Sequence, residues 1–176
     1  MKSHRVVLRR KSLTFVAWSF ALLLMLIGSI ALASLADGVD ADALGVAAVC
    51  LVSASFILRA GRARIVLADV NVLVINPVFT YAIPCRAVRE VREEHTLIIV
   101  TNGEGDISSA AFGSSLIDHF VRSTERASDE VARHVRMFKG RAAGGVVRRM
   151  TRAWVADACG LAALVCAVAA VWAGSS

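Results

Sequence analysis

The chain has 176 residues, 57% of them hydrophobic, and carries a formal net charge of +6 at pH 7. Its mean hydropathy is +0.64. A composition this apolar, with charges this unevenly spread, excludes a single soluble domain and indicates a membrane protein.

Residues 1–12 form a basic N-terminal segment, and residues 13–36 follow it without a charged side chain. This apolar run is longer than the roughly 20 residues that a helix needs to cross a bilayer core of about 30 Å. The alternative is a secretory signal peptide cleaved at Ala31-Leu32-Ala33, but the apolar part of such a peptide normally has only about 7–15 residues. We therefore predict a first transmembrane helix over 13–36.

Residues 43–58 are also uncharged. At about 1.5 Å per residue this run spans only about 24 Å. Either Arg59 extends towards the interface, or the bilayer thins locally, or Ala41 and Asp42 lengthen the helix at its other end. The connection DGVDAD between the two runs is short and acidic, which is typical of a tight turn between antiparallel helices. Residues 13–58 are thus predicted to form a transmembrane helical hairpin.

From residue 62 to residue 138 the long apolar runs give way to short, β-branched stretches. In RIVLADVNVLVI two strands are separated by a turn at Ala68-Asp69, and another turn is predicted at Asn76-Pro77. The second strand alternates, with Val70, Val72 and Val74 on one face and Asn71, Leu73 and Ile75 on the other.

The stretch VFTYAI alternates next, and its face with Phe79, Tyr81 and Ile83 is predicted to be core. Pro84 ends this strand because proline cannot donate a ladder hydrogen bond. A turn or bulge at 86–88 and a strand through Arg92 are expected to follow. TLIIVT, the turn NGEGD and DISSAAF then indicate a hairpin, since Asn-Gly supplies the positive φ that a tight reversal needs.

An amphipathic helix is predicted after the strands, beginning at Ser114 or Ser115 and ending near residue 138. Its apolar residues recur three and four positions apart: Phe120, Thr124, Ala127, Val131, Val135 and Phe138. Residues 139–152 are rich in glycine and arginine and are predicted to form a hinge.

Residues 153–173 make up the third predicted transmembrane helix, with Trp154 and Trp172 as interface residues near its ends. Asp157 lies inside this run, and an intramembrane carboxylate is a hypothesis of function. The alternative is that Asp157 lies at the interface, stabilised by the helix dipole and by the arginines before the helix.

Basic residues are found at one end of each apolar run: Lys2, Arg5, Arg9, Arg10 and Lys11, then Arg59, Arg62 and Arg64, then Arg148, Arg149 and Arg152. Three acidic residues lie at the opposite end of the hairpin: Asp37, Asp40 and Asp42. By the positive-inside rule the N-terminus and residues 62–138 are cytoplasmic and the C-terminus is outside. The sequence therefore predicts a multi-pass protein of the plasma membrane.

The segment RIVLADVNVLVINPVFTYAIPCRAVREV resembles the core of the PH-like domains of small membrane proteins from high-GC bacteria. Ile83-Pro84 matches the Ile-Pro of that family, Cys85 replaces its common tryptophan, and Val88 and Val91 take the next apolar positions. The resemblance implies an antiparallel β half-barrel closed by a C-terminal helix over 62–138. The predicted fold is thus three transmembrane helices with an inserted PH-like half-barrel and an amphipathic helix.

A phosphoinositide site in a PH domain would require basic residues around the first inter-strand loop. Here that loop is LADVN, with Asp69 and no lysine or arginine. Three arginines lie further along the chain, but glutamates alternate with them, namely Arg86, Arg89 and Arg92 with Glu90, Glu93 and Glu94. This pattern favours a solvated mixed-charge surface over an anion site.

No motif for catalysis or for phosphate binding occurs, so we expect no catalytic residue, no cofactor and no enzyme activity. The four histidines are scattered and the cysteines form no CxxC pair, which predicts neither a metal site nor a disulfide framework. Cys50, Cys85, Cys159 and Cys166 are instead expected to be small buried apolar residues.

Three functions are compatible with this pattern. The first is a membrane-anchored cytoplasmic scaffold or interaction module that binds a protein partner. The second is a small transporter or channel subunit that uses Asp157, and the third is a lipid or ligand sensor that uses the open end of the barrel. The basic flanks predict attraction to anionic lipid, and their position beside apolar runs makes nucleic acid an unexpected partner.

Overall fold

A computed structural model of the chain describes residues 5–38, 40–94, 96–103, 105–113, 123–140 and 144–175. In chain order its elements are β1 (Arg5–Leu8), α1 (Lys11–Ala33), α2 (Ala41–Ala60), β2 (Arg64–Ala68), β3 (Asn71–Ile75), β4 (Phe79–Pro84), β5 (Val88–Glu93), β6 (Thr96–Thr101), β7 (Gly105–Gly113), α3 (Ser123–Phe138), β8 (Val147–Met150) and α4 (Trp154–Ser175), with 3₁₀ turns at Ser34–Asp37 and Cys85–Ala87. They form two compact units. The sheet unit comprises Met1–Lys11 and Arg62–Thr151, and the helix unit comprises Ser12–Gly61 and Arg152–Ser176.

Among the described residues, three helices are long and apolar enough to cross a membrane: Lys11–Ala36, Ala41–Ala60 and Trp154–Ser175. They lie where the sequence predicts them. Most of their large apolar side chains point outward, and Trp154 and Trp172 are 75% and 71% exposed. An outward face this apolar is what a helix needs in contact with lipid chains.

Small residues make the contacts between these helices. Ala47, Ala54 and Ala156 are almost completely buried, and α2 packs along α4. The backbone of Gly61 lies so close to Ala17 that an added Cβ would be 2.4 Å from the Ala17 side chain. Helix backbones approach closely where side chains are small, so dispersion and hydrogen bonds can hold them together without a hydrophobic driving force.

The described strands of the sheet unit form two antiparallel sheets. The first has the order β1-β2-β3-β4-β8 and the second β5-β6-β7. Apolar residues of both sheets and of α3 share one core, whose fully buried members include Ile65, Val74, Ile83, Leu97 and Val131. The alternation predicted for β3 is confirmed, because Val72 and Val74 are both 0% exposed.

Two predicted turns are present. Ala68 pairs with Asn71, so β2 and β3 are joined by a two-residue turn in which Asp69 has a φ of 44°. Aspartate tolerates this left-handed conformation better than most residues. In the β6–β7 connection Gly103 has a φ of 117°, as the Asn-Gly pair predicts.

The region after β4 combines a turn and a bulge. A 3₁₀ turn covers Cys85–Ala87, and the register of β5 against β6 shifts between Val88 and Glu90. Arg89 is therefore the extra residue of a β-bulge. The predicted turn or bulge at 86–88 lies at this place.

The first sheet contains two strands outside the predicted range of 62–138. β1 lies in the basic N-terminal segment and pairs with β2, while β8 lies in the predicted hinge and pairs with β4. Both have four residues and are edge strands of this sheet. Short, charged edge strands protect a sheet against aggregation, but they leave too few alternating residues for a sequence pattern to show.

The amphipathic helix is present as α3. Ala127, Val131 and Val135 of its predicted apolar face are buried, and Phe138 packs against the same core. The predicted start at Ser114 or Ser115 and the apolar position Phe120 lie outside the described residues. The periodicity of the described part is therefore confirmed.

Cys85 is the one cysteine in the sequence of the sheet unit, and its side chain is 0% exposed. Burial raises the pKa of its thiol, which further disfavours the reactive thiolate. We expect a thiol reagent to modify native Cys85 at least about 100-fold more slowly than an exposed cysteine, because the core must open first. Alkylation followed by mass spectrometry of the Cys85 peptide measures this rate.

The matched control is Arg86→Cys in a Cys85→Ala background, since residue 86 is exposed. Fast modification of native Cys85, at the rate of the control, would contradict the buried position. The same reaction in increasing urea then reports the stability of the sheet unit.

Candidate functional site

A groove opens in the sheet unit where the β3–β4 connection approaches β7, and we call it the corner groove. It has a volume of about 220 Å³ and is lined by Asn76, Pro77, Val78, Phe79, Tyr81, Thr96, Ser108, Ser109 and Ala110. Apolar rings and methyl groups make up part of its wall, and hydroxyl and amide groups make up the rest. Such a mixed wall suits an amphipathic group.

Asn76 holds the groove in shape. Its side-chain Nδ2 donates to the carbonyl oxygen of Ser108 at 2.8 Å, and its Oδ1 accepts from the backbone N–H of Ala110 at 2.9 Å. The amide thus pairs with β7 as another strand would. Its backbone N–H also donates to the carbonyl oxygen of Phe79 at 2.9 Å. One residue therefore joins the β3–β4 turn to the second sheet.

Two threonines support the same turn from the other side. The Thr151 hydroxyl donates to the carbonyl oxygen of Asn76 at 2.9 Å and is 2.8 Å from the Thr80 hydroxyl. The Thr151 backbone N–H donates to the carbonyl oxygen of Val78 at 2.9 Å. The segment that follows β8 therefore fixes the conformation of the groove wall.

An aromatic–cation pair lies at the rim of the groove. The guanidinium carbon of Arg148 on β8 lies 3.5 Å from the centroid of the Phe79 ring. Arg148 is opposite Tyr81 in the register, so both lie on the same face of the sheet. A cation is attracted to the face of an aromatic ring, which restrains both side chains. Arg148 therefore gives the groove a positively charged rim above Phe79.

Ser109 lies beside the groove but its hydroxyl is buried. The residue is 0% exposed, and within the described part of the chain its Oγ has no hydrogen-bond partner. A buried polar group without a partner costs about 1–3 kcal/mol.

The predicted aromatic face of β4 is divided between core and groove. Ile83 is completely buried and Tyr81 packs against the core, whereas Phe79 is half-buried beneath Arg148. The alternation predicts which side chains share a face, but it carries no information on how far the second sheet extends over that face. The corner groove begins where that cover ends.

Asp157 lies on the first turn of α4 and forms an ion pair with Arg59 at the end of α2. Its second oxygen accepts from the backbone N–H of Ala153 at 3.2 Å. One turn earlier on α2, the Ser55 hydroxyl donates to the carbonyl oxygen of Ala156 at 2.7 Å. The expected partners were the arginines before the helix, and the structure pairs Asp157 with an arginine of another helix.

The mixed-charge stretch after β4 contains an ion pair. Arg92 donates to Glu90, with a nitrogen–oxygen distance of 2.9 Å, and both side chains are about half exposed. The hydrogen bond from Arg92 lowers the pKa of Glu90. This is the pairing that a solvated mixed-charge surface predicts.

His134 lies on α3 beside the β2–β3 turn. The imidazole donates a hydrogen bond to the Asp69 backbone, and the Phe138 ring centroid is 4.8 Å from the imidazole centroid. Its Nε2 is buried without a partner among the described residues. Burial lowers the pKa of His134, although the Asp69 backbone and nearby Glu130 oppose this shift. The neutral imidazole is therefore part of the packing of α3.

The stability of the sheet unit is expected to fall as the pH drops below about 6.5, the ordinary histidine pKa. Since the pKa of folded His134 is lowered, the unfolded chain takes up the proton first, and protonation favours unfolding until the pH passes below the folded pKa. Urea unfolding between pH 5 and pH 8 (about the range in which histidine titrates) measures the loss. His134→Gln should remove this part of the pH dependence, and an unchanged slope would contradict the assignment.

Among the described residues, no three His, Cys, Asp or Glu side chains lie close enough together to hold a metal ion. Cys50, Cys85 and Cys159 are buried and Cys166 is half-buried, as the sequence predicts for small apolar residues.

Comparison of the chain with family models, with curated proteins and with solved structures finds no match. The PH-like resemblance therefore stays a prediction from the residues around Ile83-Pro84. Asn76 was predicted only as a turn residue, and Arg148 only as part of a basic flank. No local signal marks either as part of a groove, because both act through contacts between distant segments.

Proposed function

We propose that this chain is a multi-pass protein of the plasma membrane whose PH-like sheet unit is a cytoplasmic interaction module for a protein partner, without catalytic activity of its own. The observation that carries the proposal is the corner groove. Its volume of about 220 Å³ is below the roughly 300–1,000 Å³ of pockets that enclose a small-molecule substrate or cofactor. A cleft of this size takes one or two side chains of a partner.

The groove also indicates what kind of side chain would bind. Phe79, Tyr81 and Val78 offer apolar surface to a bound side chain. Arg148 at the rim favours a neighbouring acidic group on the partner. The proposed partner segment therefore carries an apolar or amphipathic side chain beside an Asp or Glu.

The positions at which three strands connect to the apolar helices support the proposed membrane topology. Leu8 at the end of β1 is opposite Ile65 near the start of β2, and Met150 at the end of β8 is opposite Phe79. The register of β2, β3 and β4 places all of these positions at one end of the first sheet. The three chain segments that lead to apolar helices therefore leave the sheet at the same end.

Each of those connections is short. Two residues separate β1 from α1, and three residues separate α2 from β2 and β8 from α4. Such links span at most about 10 Å. Basic residues occur at all three connections, which by the positive-inside rule supports a cytoplasmic position for them.

Site-specific photo-crosslinking in cells that naturally express the protein tests the interaction. A photoreactive amino acid at Val78, which is exposed in the groove, is expected to give a protein adduct. The same amino acid at Met137, an exposed position on α3, is the control. Adduct formation at Val78 should also fall when Arg148→Glu reverses the charge of the rim.

Absence of an adduct at Val78, or equal adducts at Val78 and Met137, would contradict the proposed interaction. Topology is tested separately with a protease on membrane vesicles. Cleavage within residues 62–138 is expected in inside-out vesicles and protection in right-side-out vesicles. The reverse result would contradict the proposed orientation while leaving the crosslinking result standing.

A further inference from the structure

The outer face of the first sheet carries a group of arginines distinct from the residues that line the corner groove. Val6 and Leu8 of β1 and Ile65 of β2 pack against the core, so their neighbours Arg9 and Arg64 lie on the opposite face. Leu8 is opposite Ile65, which brings the next residue, Arg9, beside Arg64. Arg62 follows α2 by two residues. We call Arg9, Arg62 and Arg64 the arginine cluster.

The electrostatics of Arg64 show that this cluster is dense. Its pKa is lowered, first by burial and then by the positive charges of Arg9, Arg62 and Arg5. Neither residues 1–12 nor residues 59–68 contain an aspartate or a glutamate. The sheet therefore holds several guanidinium groups together in a stretch of sequence without acidic residues.

We propose that the arginine cluster binds the phosphate group of an anionic phospholipid in the cytoplasmic leaflet. A guanidinium group can donate two parallel hydrogen bonds to two oxygens of one phosphate. The ammonium group of lysine acts as a point charge and does not form this paired contact. The phosphate would offset the mutual repulsion of Arg64 and its neighbours. The proposal rests on the proposed membrane insertion, since only then is a lipid headgroup within reach.

The position of the cluster separates it from a generic basic flank. The positive-inside rule requires only that basic residues be near a membrane-spanning helix. Here two of the three arginines are held at fixed positions on or beside paired strands, and Arg64 is half-buried. The cluster is at the end of the sheet from which the chain leaves for α1 and α2, at the opposite end of β2 from the acidic β2–β3 turn.

The test uses the full chain in nanodiscs made either of phosphatidylcholine alone or of phosphatidylcholine with phosphatidylglycerol. Native mass spectrometry counts the anionic lipids that stay bound. We expect the wild-type chain to retain phosphatidylglycerol and Arg62→Gln/Arg64→Gln to bind it at least about 10-fold more weakly, a change that corresponds to about 1.4 kcal/mol. Arg62→Lys/Arg64→Lys keeps the charge and should recover only part of the affinity.

Arg86→Gln/Arg89→Gln removes the same charge from exposed positions of the sheet unit and is the matched control. It should retain the lipid like the wild type. Slow alkylation of Cys85 shows that each variant is folded. Equal lipid loss in both double variants would overturn the proposal in favour of general electrostatic attraction, and unchanged binding in Arg62→Gln/Arg64→Gln would overturn it outright.

A control with inorganic phosphate, added to nanodiscs of phosphatidylcholine alone, tests whether the cluster binds a free anion and not a lipid. We expect inorganic phosphate not to raise the free energy of unfolding of the sheet unit at concentrations where phosphatidylglycerol binds. Stabilisation by phosphate that equals that by phosphatidylglycerol would overturn the assignment to a lipid. A chain that fails to enter nanodiscs would refute the proposed insertion, and a missing Val78 adduct with intact lipid binding would refute only the protein partner.

Discussion

Ile83→Ala is expected to lower the free energy of unfolding of the sheet unit by about 2–5 kcal/mol, the largest effect of any change considered. Ile83 is 0% exposed and belongs to the core that both sheets and α3 share. Its removal loses apolar burial and leaves a cavity that β4, paired with β3 on one side and β8 on the other, cannot close. Urea unfolding followed by far-UV circular dichroism and Cys85 alkylation measures the change.

Val78→Ala is the matched control for this prediction. Val78 is 46% exposed and lies two residues after Asn76, outside the core. Its truncation should change stability by less than about 0.5 kcal/mol, as is usual for surface positions. Equal losses in the two variants would mean that the core is not centred on Ile83.

Asp157→Asn is expected to weaken the packing of α2 on α4 by about 1–3 kcal/mol, because Arg59 keeps its charge and loses its ionic partner. Their side chains are only 23% and 35% exposed, Arg59 being the more buried. Arg59→Gln should have a similar effect, and Arg59→Gln/Asp157→Asn should lose less than the sum of the two. Denaturation in detergent, followed by the tryptophan fluorescence of each variant, provides the free energies of the double-mutant cycle.

Asp42→Asn is the control, since Asp42 is an exposed carboxylate at the start of α2. It should leave the helix packing nearly unchanged. Additive losses in the cycle would show that Arg59 and Asp157 do not stabilise each other. The same variants examine the transporter alternative, because loss of an ion flux in proteoliposomes with the fold intact would make Asp157 a functional residue.

Several local features could be read from the sequence because each depends on neighbouring residues. The length and hydropathy of the apolar runs predict α1, α2 and α4, and period-two alternation predicts β3 and its buried valines. Asn76-Pro77 and Asn102-Gly103 mark turns through their own backbone preferences. The helix α3 follows from the spacing of Ala127, Val131 and Val135.

Other features could not be read because they depend on pairs far apart in the chain. β1 and β8 form only against partners about sixty and about seventy residues away in sequence, respectively, and four residues give no usable period. The ion pair of Arg59 with Asp157 joins residues 98 apart. The Asn76 amide pairs with β7 over more than thirty residues.

The sequence by itself determined which segments are apolar enough to cross a bilayer, where strands alternate and which side chains share a face. Only the tertiary structure decided that Val6 and Leu8 complete a sheet, that Phe79 borders a groove while Ile83 fills a core, and that Asp157 has its partner on α2. The physical reason is that periodicity and turn preference are local properties of the backbone. Strand pairing, cavities and ion pairs depend instead on which distant segments the folded chain brings together.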